Sequence, residues 1–227
     1  MLLKRYLEPK PSVSRHLLLL CGTMLWLAMA FSFTTARAQV QEPLEIVALG
    51  DSLTAGYQLP PGKGFVPQLQ AALRARGHLV VVQNAGVSGD TSAGGLARLD
   101  WSIPSSASAV IVELGANDAL RGVPPEVTRQ NLTQIIETLQ ARGLTILLAG
   151  MYAPPNLGLA YANRFNPIYP ELAKKYDLIY YPFFLDGVAS IKSLNLADGI
   201  HPNADGIQII VQRILPKAEQ LIGRINK

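Results

Sequence analysis

Cysteine is almost absent from this chain: the 227 residues contain only Cys21, which lies in an apolar segment close to the N-terminus. If that segment is an export signal, no cysteine remains in the mature protein. Disulfide bonds, thiol catalysis and thiolate metal ligands are then excluded together. Aromatic residues are also few, at 7%. A chain of this kind relies on its hydrophobic core for stability.

The first 38 residues have the organisation of an export signal. An apolar run, residues 17–33, follows four basic residues and ends at Ala36-Arg37-Ala38, which has the small-residue pattern of a cleavage site. The sequence therefore predicts a signal peptide over residues 1–38, cleavage near Ala38, and a mature protein of residues 39–227 in the periplasm or outside the cell. The alternative is that the run is retained as a membrane anchor.

Net charge is lacking from the predicted mature protein, although the whole chain carries +4 at neutral pH. Five of the 20 Lys and Arg residues and one of the 16 Asp and Glu residues lie in the first 38 positions, so residues 39–227 carry 15 of each. Without a positive field, binding to nucleic acid or anionic lipid has no electrostatic support. We expect a monomer with no nucleic-acid partner and no membrane anchor after cleavage.

Apolar runs of strand length alternate with helical segments along residues 39–227. The runs are continuous, which is typical of strands buried on both faces, and they cover 45–49, 79–83, 109–114, 144–149 and 178–181. The segments of helical character are about 64–76, 91–101, 124–141, 161–175 and 203–223. This alternation predicts one α/β domain with a parallel sheet, right-handed crossovers and helices on both sides.

Small polar clusters follow the first three apolar runs, at the strand ends where open α/β sheets bind ligands. They are Gly50-Asp51-Ser52, the segment 84–91, and Gly115-Ala116-Asn117-Asp118. Ser52 is a candidate nucleophile, because a buried strand delivers it to the end of the sheet. The alternative is that the first cluster is only a strand-to-helix turn with Ser52 or Thr54 as the N-cap residue.

A serine nucleophile needs a base, and histidine suits that work near neutral pH. After the signal segment the chain offers only His78, interpreted as a surface residue, and His201. Asp198 lies three residues before His201 in the same loop and is placed to orient the imidazole. The alternative is that Asp198 and Asn203 only make turns and cap the last helix while His201 is exposed.

An acyl-transfer intermediate also needs donors for its oxyanion. The candidates at the strand ends are the backbone N–H of Ser52, a glycine N–H of the second cluster and the amide of Asn117. Residue type alone leaves Gly86 and Gly89 both open as the glycine.

Four blocks follow one another along the chain: Gly50-Asp51-Ser52-Leu53, Ser88-Gly89-Asp90-Thr91, Gly115-Ala116-Asn117-Asp118 and Asp198-Gly199-Ile200-His201-Pro202. In this order and spacing they resemble the GDSL or SGNH hydrolases, and the resemblance covers essentially all of residues 39–227. Further stretches, at 89–91, 95–99, 117–122 and 169–173, resemble the exported thioesterase I, lysophospholipase and arylesterase branch. Ala116 stands where the branch often has a second glycine, which puts the chain-length preference in doubt.

This resemblance implies a flavodoxin-like three-layer α/β/α sandwich with a five-stranded parallel sheet, and no metal or cofactor. It implies Ser52 as nucleophile, His201 as base and Asp198 as the partner of His201. It implies that the N–H groups of Ser52 and Gly89 and the Asn117 side chain form the oxyanion hole. Asp51 is then interpreted as a residue that fixes the turn of the nucleophile.

The activity implied is hydrolysis of carboxylic esters and thioesters of acyl groups, so the expected partner is a small acyl ester or thioester. Leu120, Tyr152 and Pro154 are predicted substrate contacts, because the segments after the third and fourth strands are apolar enough to line an acyl groove. One alternative is a carbohydrate O-acetylesterase, for which the chain has few aromatic residues to stack on sugar rings. Another is a non-catalytic ligand-binding module on the same frame.

Overall fold

Five parallel strands form one sheet at the centre of the computed structural model, which describes residues 42–225. The strands are β1 (Leu44–Gly50), β2 (Val80–Gly86), β3 (Ala109–Glu113), β4 (Thr145–Ala149) and β5 (Ile179–Tyr181). Their order across the sheet is β2-β1-β3-β4-β5. The predicted parallel five-stranded sheet is therefore confirmed. The predicted signal peptide, with its cleavage site near Ala38, lies outside the described residues.

Both faces of the sheet are covered. Every residue of β3 is buried, as are the last five residues of β1 and the last four of β4. Because successive side chains of a strand point to opposite faces, such runs require a packed layer on each side. The predicted three-layer α/β/α arrangement follows from this pattern of burial.

The helices occupy most of the predicted segments, but two segments divide. Segment 91–101 forms two short helices because the chain breaks at Arg98, and segment 161–175 breaks near Pro167, where the ring prevents a regular continuation. Two further helices, after β1 and β3, were too short to be recognised by periodicity. The helices are α1 (Ser52–Ala55), α2 (Phe65–Ala75), α3 (Ser92–Ala97), α4 (Leu99–Ser102), α5 (Ala116–Leu120), α6 (Pro125–Ala141), α7 (Gly158–Phe165), α8 (Ile168–Lys175) and α9 (Ala204–Ile225).

None of these helices, over the residues that the structure describes, is long and apolar enough to span a bilayer.

The topology brings three polar loops to one edge of the sheet. Gly50, at the end of β1, is in register with Gly86 of β2 on one side and with Glu113 of β3 on the other. All three strands are parallel, so the loops that leave them emerge side by side. The chain order reverses across β1 and β3, which is the place where open α/β sheets form their binding crevice.

Candidate active site

Ser52 lies at the start of α1, in a turn held by Asp51. The Asp51 side chain caps the helix, because its Oδ1 accepts a hydrogen bond from the backbone N–H of Leu53 at 2.9 Å. A carboxylate cap of this kind both satisfies a free N–H and complements the helix dipole. Asp51 is 1% exposed and Ser52 is 9% exposed. The cap of this helix is thus Asp51, where the alternative interpretation named Ser52 or Thr54, and the Ser52 hydroxyl is left free for other partners.

A loop ahead of α9 brings His201 to Ser52. The Ser52 Oγ lies 2.8 Å from His201 Nε2, and His201 Nδ1 lies 2.8 Å from Asp198 Oδ2. The other Asp198 oxygen accepts from the backbone N–H groups of His201 and Ile200, at 3.0 and 2.9 Å. These two backbone hydrogen bonds are the main reason that the pKa of Asp198 falls to about 2. Asp198 therefore makes the turn and contacts the imidazole at the same time.

His78, the other histidine of the described residues, lies elsewhere. Its Nε2 is 3.5 Å from Glu219 Oε1 in the last helix.

Gly86 and Gly89 have different structural roles. A Cβ on Gly86 would lie 2.3 Å from the backbone nitrogen of Ala55, so glycine at this position permits close packing of β2 against α1. Gly89 lies in the loop after β2 with φ of +85°, a conformation that side chains disfavour. Among the described residues, no protein acceptor pairs with the backbone N–H of Gly89 or of Ser52. These two N–H groups are available to a ligand.

The Asn117 amide joins the first two loops. Its Nδ2 donates to Asp51 Oδ2 and to the backbone carbonyl of Asp90, both at 2.9 Å. These contacts hold the amide in the wall of the same cleft that Ser52 lines. They also engage both N–H bonds, so donation to a substrate oxygen requires that Asn117 share or release one of them.

Two buried ionic groups that sequence reasoning missed connect the loops. The Arg98 guanidinium, 5% exposed, pairs with Asp90 at 2.6 Å and donates to the carbonyl of Gly50 at 2.9 Å. Asp118 accepts from the backbone N–H of Ser92 at 2.7 Å. The only signal for Arg98 in the sequence was a lone basic residue in a short helical segment that follows Asp90, which is weak evidence without the tertiary contact.

An open cleft runs past Ser52. It is lined on its apolar side by Ala116, Leu120, Leu185 and Ile200, and Leu120 and Ile200 are about half exposed. The cleft does not include Tyr152, whose ring packs against Phe183 at 4.7 Å between centroids, nor Pro154, which precedes a 3₁₀ turn at 155–157. Leu120 thus contacts the candidate site, and the other two predicted contacts lie outside this cleft.

Tyr57 covers one side of the imidazole. Its ring centroid is 4.6 Å from that of His201, with the planes tilted by 41°. Only the tertiary fold brings these residues together, since α1 and the loop before α9 are far apart in the chain.

The arrangement has the parts of a serine nucleophile with a base, an orienting carboxylate and adjacent N–H donors. Across residues 42–225, no three His, Cys, Asp or Glu side chains converge as metal ligands would.

Comparisons with known proteins agree with this geometry. The model of the GDSL-like lipase/acylhydrolase family matches residues 48–209. An arylesterase of Vibrio mimicus is 39% identical over 176 residues, or 77% of this chain and 87% of that protein. Thioesterase 1/protease 1/lysophospholipase L1 of Escherichia coli K12 is 38% identical over 189 residues, or 83% and 88%.

A solved structure is similar as well. The crystal structure of AlinE4, an SGNH-hydrolase family esterase, is 46% identical, covers 79% of this chain and 97% of its own, and superposes with a TM-score of 0.68. A family model matching well over half of the chain and relatives at this identity leave one assignment: the chain belongs to the GDSL-like lipase/acylhydrolase family.

Proposed function

We propose that this protein is an exported serine esterase that hydrolyses carboxylic ester and thioester bonds of acyl substrates. The observation that carries the proposal is the unbroken line of hydrogen-bonding atoms from Asp198 through His201 to Ser52, with 2.8 Å at each step. In this arrangement Ser52 is the nucleophile, His201 the general base and Asp198 the residue that holds the imidazole tautomer.

The reaction proceeds in two halves. His201 Nε2 takes the hydroxyl proton of Ser52 as Oγ attacks the acyl carbon, and the carbonyl electrons move to oxygen. The N–H groups of Ser52 and Gly89, together with the Asn117 amide, stabilise that oxyanion. Collapse expels the alcohol or thiol, which receives the proton from His201. Water then repeats the attack on the acyl-enzyme, releasing the carboxylic acid and restoring Ser52.

The character of the cleft supports an acyl substrate. Leu120, Leu185 and Ile200 form an apolar wall beside Ser52, and an alkyl chain buried there gains roughly 0.8 kcal/mol per methylene. Two relatives carry the names arylesterase and thioesterase 1/protease 1/lysophospholipase L1, which support hydrolysis of ester and thioester bonds. Export, cleavage near Ala38 and a monomeric state are part of the same proposal.

An acyl-chain-length series tests the substrate class. Mature protein, residues 39–227, is assayed on p-nitrophenyl esters from acetyl to long acyl groups and on matched thioesters. We expect kcat/KM to increase with chain length beyond acetyl until the apolar wall is filled, by about fourfold for each buried methylene. Activity confined to acetyl esters would favour the carbohydrate O-acetylesterase, and no labelling of Ser52 by a fluorophosphonate would favour a non-catalytic binding module.

Activity is expected to rise as the pH increases from about 5 to about 8. His201 must be neutral to accept the proton of Ser52, and an ionised Asp51 accepts a stronger hydrogen bond from Asn117 than a neutral one. Burial raises the pKa of Asp51 to about 6, so Asp51 gains its negative charge in this interval, and that charge favours the imidazolium that forms as Ser52 attacks. Asp198 contributes no step, since its pKa lies near 2.

The Asp51→Asn variant tests the contribution of the Asp51 charge. We expect log kcat/KM to rise more steeply with pH in wild type than in Asp51→Asn, because only the wild type gains this charge as the pH increases. A flat profile over the whole interval would contradict the assignment of His201 as the base.

A further inference from the structure

Glu113 is a buried carboxyl group that the proposed reaction does not use. It ends β3, directly beside Gly50 in the sheet register, and it is 0% exposed. A Cβ on Gly50 would lie 2.7 Å from Glu113 Oε2 and 2.1 Å from the Thr54 hydroxyl. Glycine ahead of the nucleophile turn is therefore what allows the carboxyl group to reach the turn.

The Glu113 side chain forms hydrogen bonds to the turn that carries Ser52. Its Oε2 accepts from the hydroxyl of Thr54 at 2.8 Å and from the backbone N–H of Asp51 at 3.4 Å. Thr54 and Asp51 flank Ser52 and Leu53, so one oxygen atom anchors the segment that carries the nucleophile. The other oxygen, Oε1, is buried and receives no hydrogen bond from any described residue.

A second carboxyl group, Asp51, lies next to Glu113. Ionising both would cost much free energy, because two like charges would be buried side by side away from water. Of the two groups, Asp51 is better stabilised in its ionised form. It accepts from the Leu53 N–H and from the Asn117 amide, both at 2.9 Å, and it faces His201. Glu113 has only the Thr54 hydroxyl and one long backbone contact. Burial and the charge on Asp51 both raise the pKa of Glu113 well above its ordinary value.

The charged and polar groups around Asp51 and Glu113 do not neutralise the negative charge of this pair. Arg98 reaches the carbonyl of Gly50 but pairs with Asp90. Asp118, across α5, adds another negative charge and is bonded to Ser92 and Thr128. Tyr169 donates its hydroxyl to the carbonyl of Leu114 at 3.0 Å. None of these neighbours therefore supplies a positive charge that pairs with Glu113.

We propose that Glu113 is a positioning residue, kept as the neutral carboxylic acid at neutral pH, that anchors the Ser52 turn and leaves Asp51 as the single carboxylate that orients Asn117. As an acid, Glu113 can use its proton in the side-chain hydrogen bond that it shares with the Asp51 carboxylate, while Oε2 still accepts from Thr54. One shared proton thus couples the nucleophile turn to the amide that is proposed to bind the oxyanion. The effect of Glu113 on catalysis rests on the proposed function. The charge state of Glu113 rests on the burial of the two carboxyl groups.

Two substitutions separate charge from hydrogen bonding. Glu113→Gln keeps an uncharged acceptor and a donor of the same shape, so we expect kcat on p-nitrophenyl esters at pH 7.5 to stay within about threefold of wild type. Glu113→Leu removes the acceptor, so we expect kcat to fall by about 30-fold or more with KM changed by less than about twofold. Glu137→Gln, at an exposed carboxylate of α6, is the matched control and should change neither constant.

Two further measurements do not need activity. The pKa of Glu113 is raised in the folded protein and ordinary in the unfolded chain. Between these two pKa values, unfolding releases the proton of Glu113, so the stability of the wild type falls as the pH rises. The melting temperature of wild type should therefore fall relative to that of Glu113→Gln between about pH 5 and about pH 8. The infrared carbonyl band of a protonated carboxylic acid should be present in wild type at neutral pH and absent from Glu113→Gln.

Two results would overturn the proposal. A Glu113→Gln variant that melts normally but is as slow as Glu113→Leu would overturn the proposal, because an ionised Glu113 would then be required. Absence of both the infrared difference and the pH-dependent melting difference would overturn it too. If Glu113→Leu does not fold, Thr54→Val removes a donor to the same oxygen and should lower kcat about fivefold. A wild-type protein without esterase activity would refute the proposed function, and the infrared and melting results would still decide the state of Glu113.

Discussion

Replacing Ser52 by alanine is expected to lower kcat/KM on acyl esters by about 10⁴-fold to 10⁶-fold. The substitution removes Oγ, the atom that lies 2.8 Å from His201 Nε2, and with it the covalent route through an acyl-enzyme. The backbone N–H of residue 52 and the cleft remain, so a small residual rate above water is expected from oxyanion stabilisation and binding alone. The measurement is steady-state hydrolysis of a p-nitrophenyl ester with purified mature protein.

Ser106→Ala provides the control for this substitution. Ser106 is exposed in the loop before β3, so its hydroxyl can be removed without touching the cleft. The melting temperature of both variants should match wild type to within a few degrees, because Ser52 Oγ contributes only one hydrogen bond. Near wild-type activity of Ser52→Ala would show that the nucleophile has been misassigned.

Asp198→Asn is expected to lower kcat by about 10³-fold to 10⁴-fold while KM changes little. The Asn oxygen can still accept the backbone N–H bonds of Ile200 and His201 that hold the loop. Its amide would then present N–H to His201 Nδ1, which favours the tautomer with the proton on Nε2. That tautomer cannot accept the proton of Ser52, and the imidazolium formed during attack loses its carboxylate partner.

Combining substitutions tests whether the three residues act as a unit. The double variant Ser52→Ala/Asp198→Asn should be no slower than Ser52→Ala alone, because the orienting carboxylate has no role once the nucleophile is gone. Asp205→Asn, at an exposed carboxylate in the first turn of α9, is the control for loss of charge near the loop. Additive losses in the double variant would mean that Asp198 acts independently of Ser52.

Much of the fold and of the site was predictable because both depend on local pattern. Continuous apolar runs predicted five buried parallel strands, and parallel strands place their following loops at one edge. Ser52, a glycine of the second loop and Asn117 follow three such strands, so their convergence at the carboxyl ends was expected. The choice of Gly89 over Gly86 came from the resemblance to the family. His201 was predicted to be the base because a carboxylate, Asp198, lies three residues before it in the same loop.

Other features were not predictable, because they depend on contacts between distant segments. The acid Glu113 in an apolar run gives no local signal that its carboxyl group will anchor the turn of Ser52. Arg98 pairs with Asp90 only because the loop folds back over the end of β1. Tyr152 and Pro154 were judged by apolar character, yet the cleft is lined by Leu185 and Ile200, whose segments reach it only in the folded chain.

The amino-acid sequence by itself determined the layered α/β frame and the edge at which its polar loops meet, because hydrophobic periodicity and strand ends are properties of short segments. Only the tertiary structure decided which atoms touch there. It places His201 Nε2 against Ser52 Oγ, commits both N–H bonds of Asn117, and buries Glu113 against Asp51. Distances between atoms and the loss of water around charged groups depend on the packing of segments that are remote in the chain.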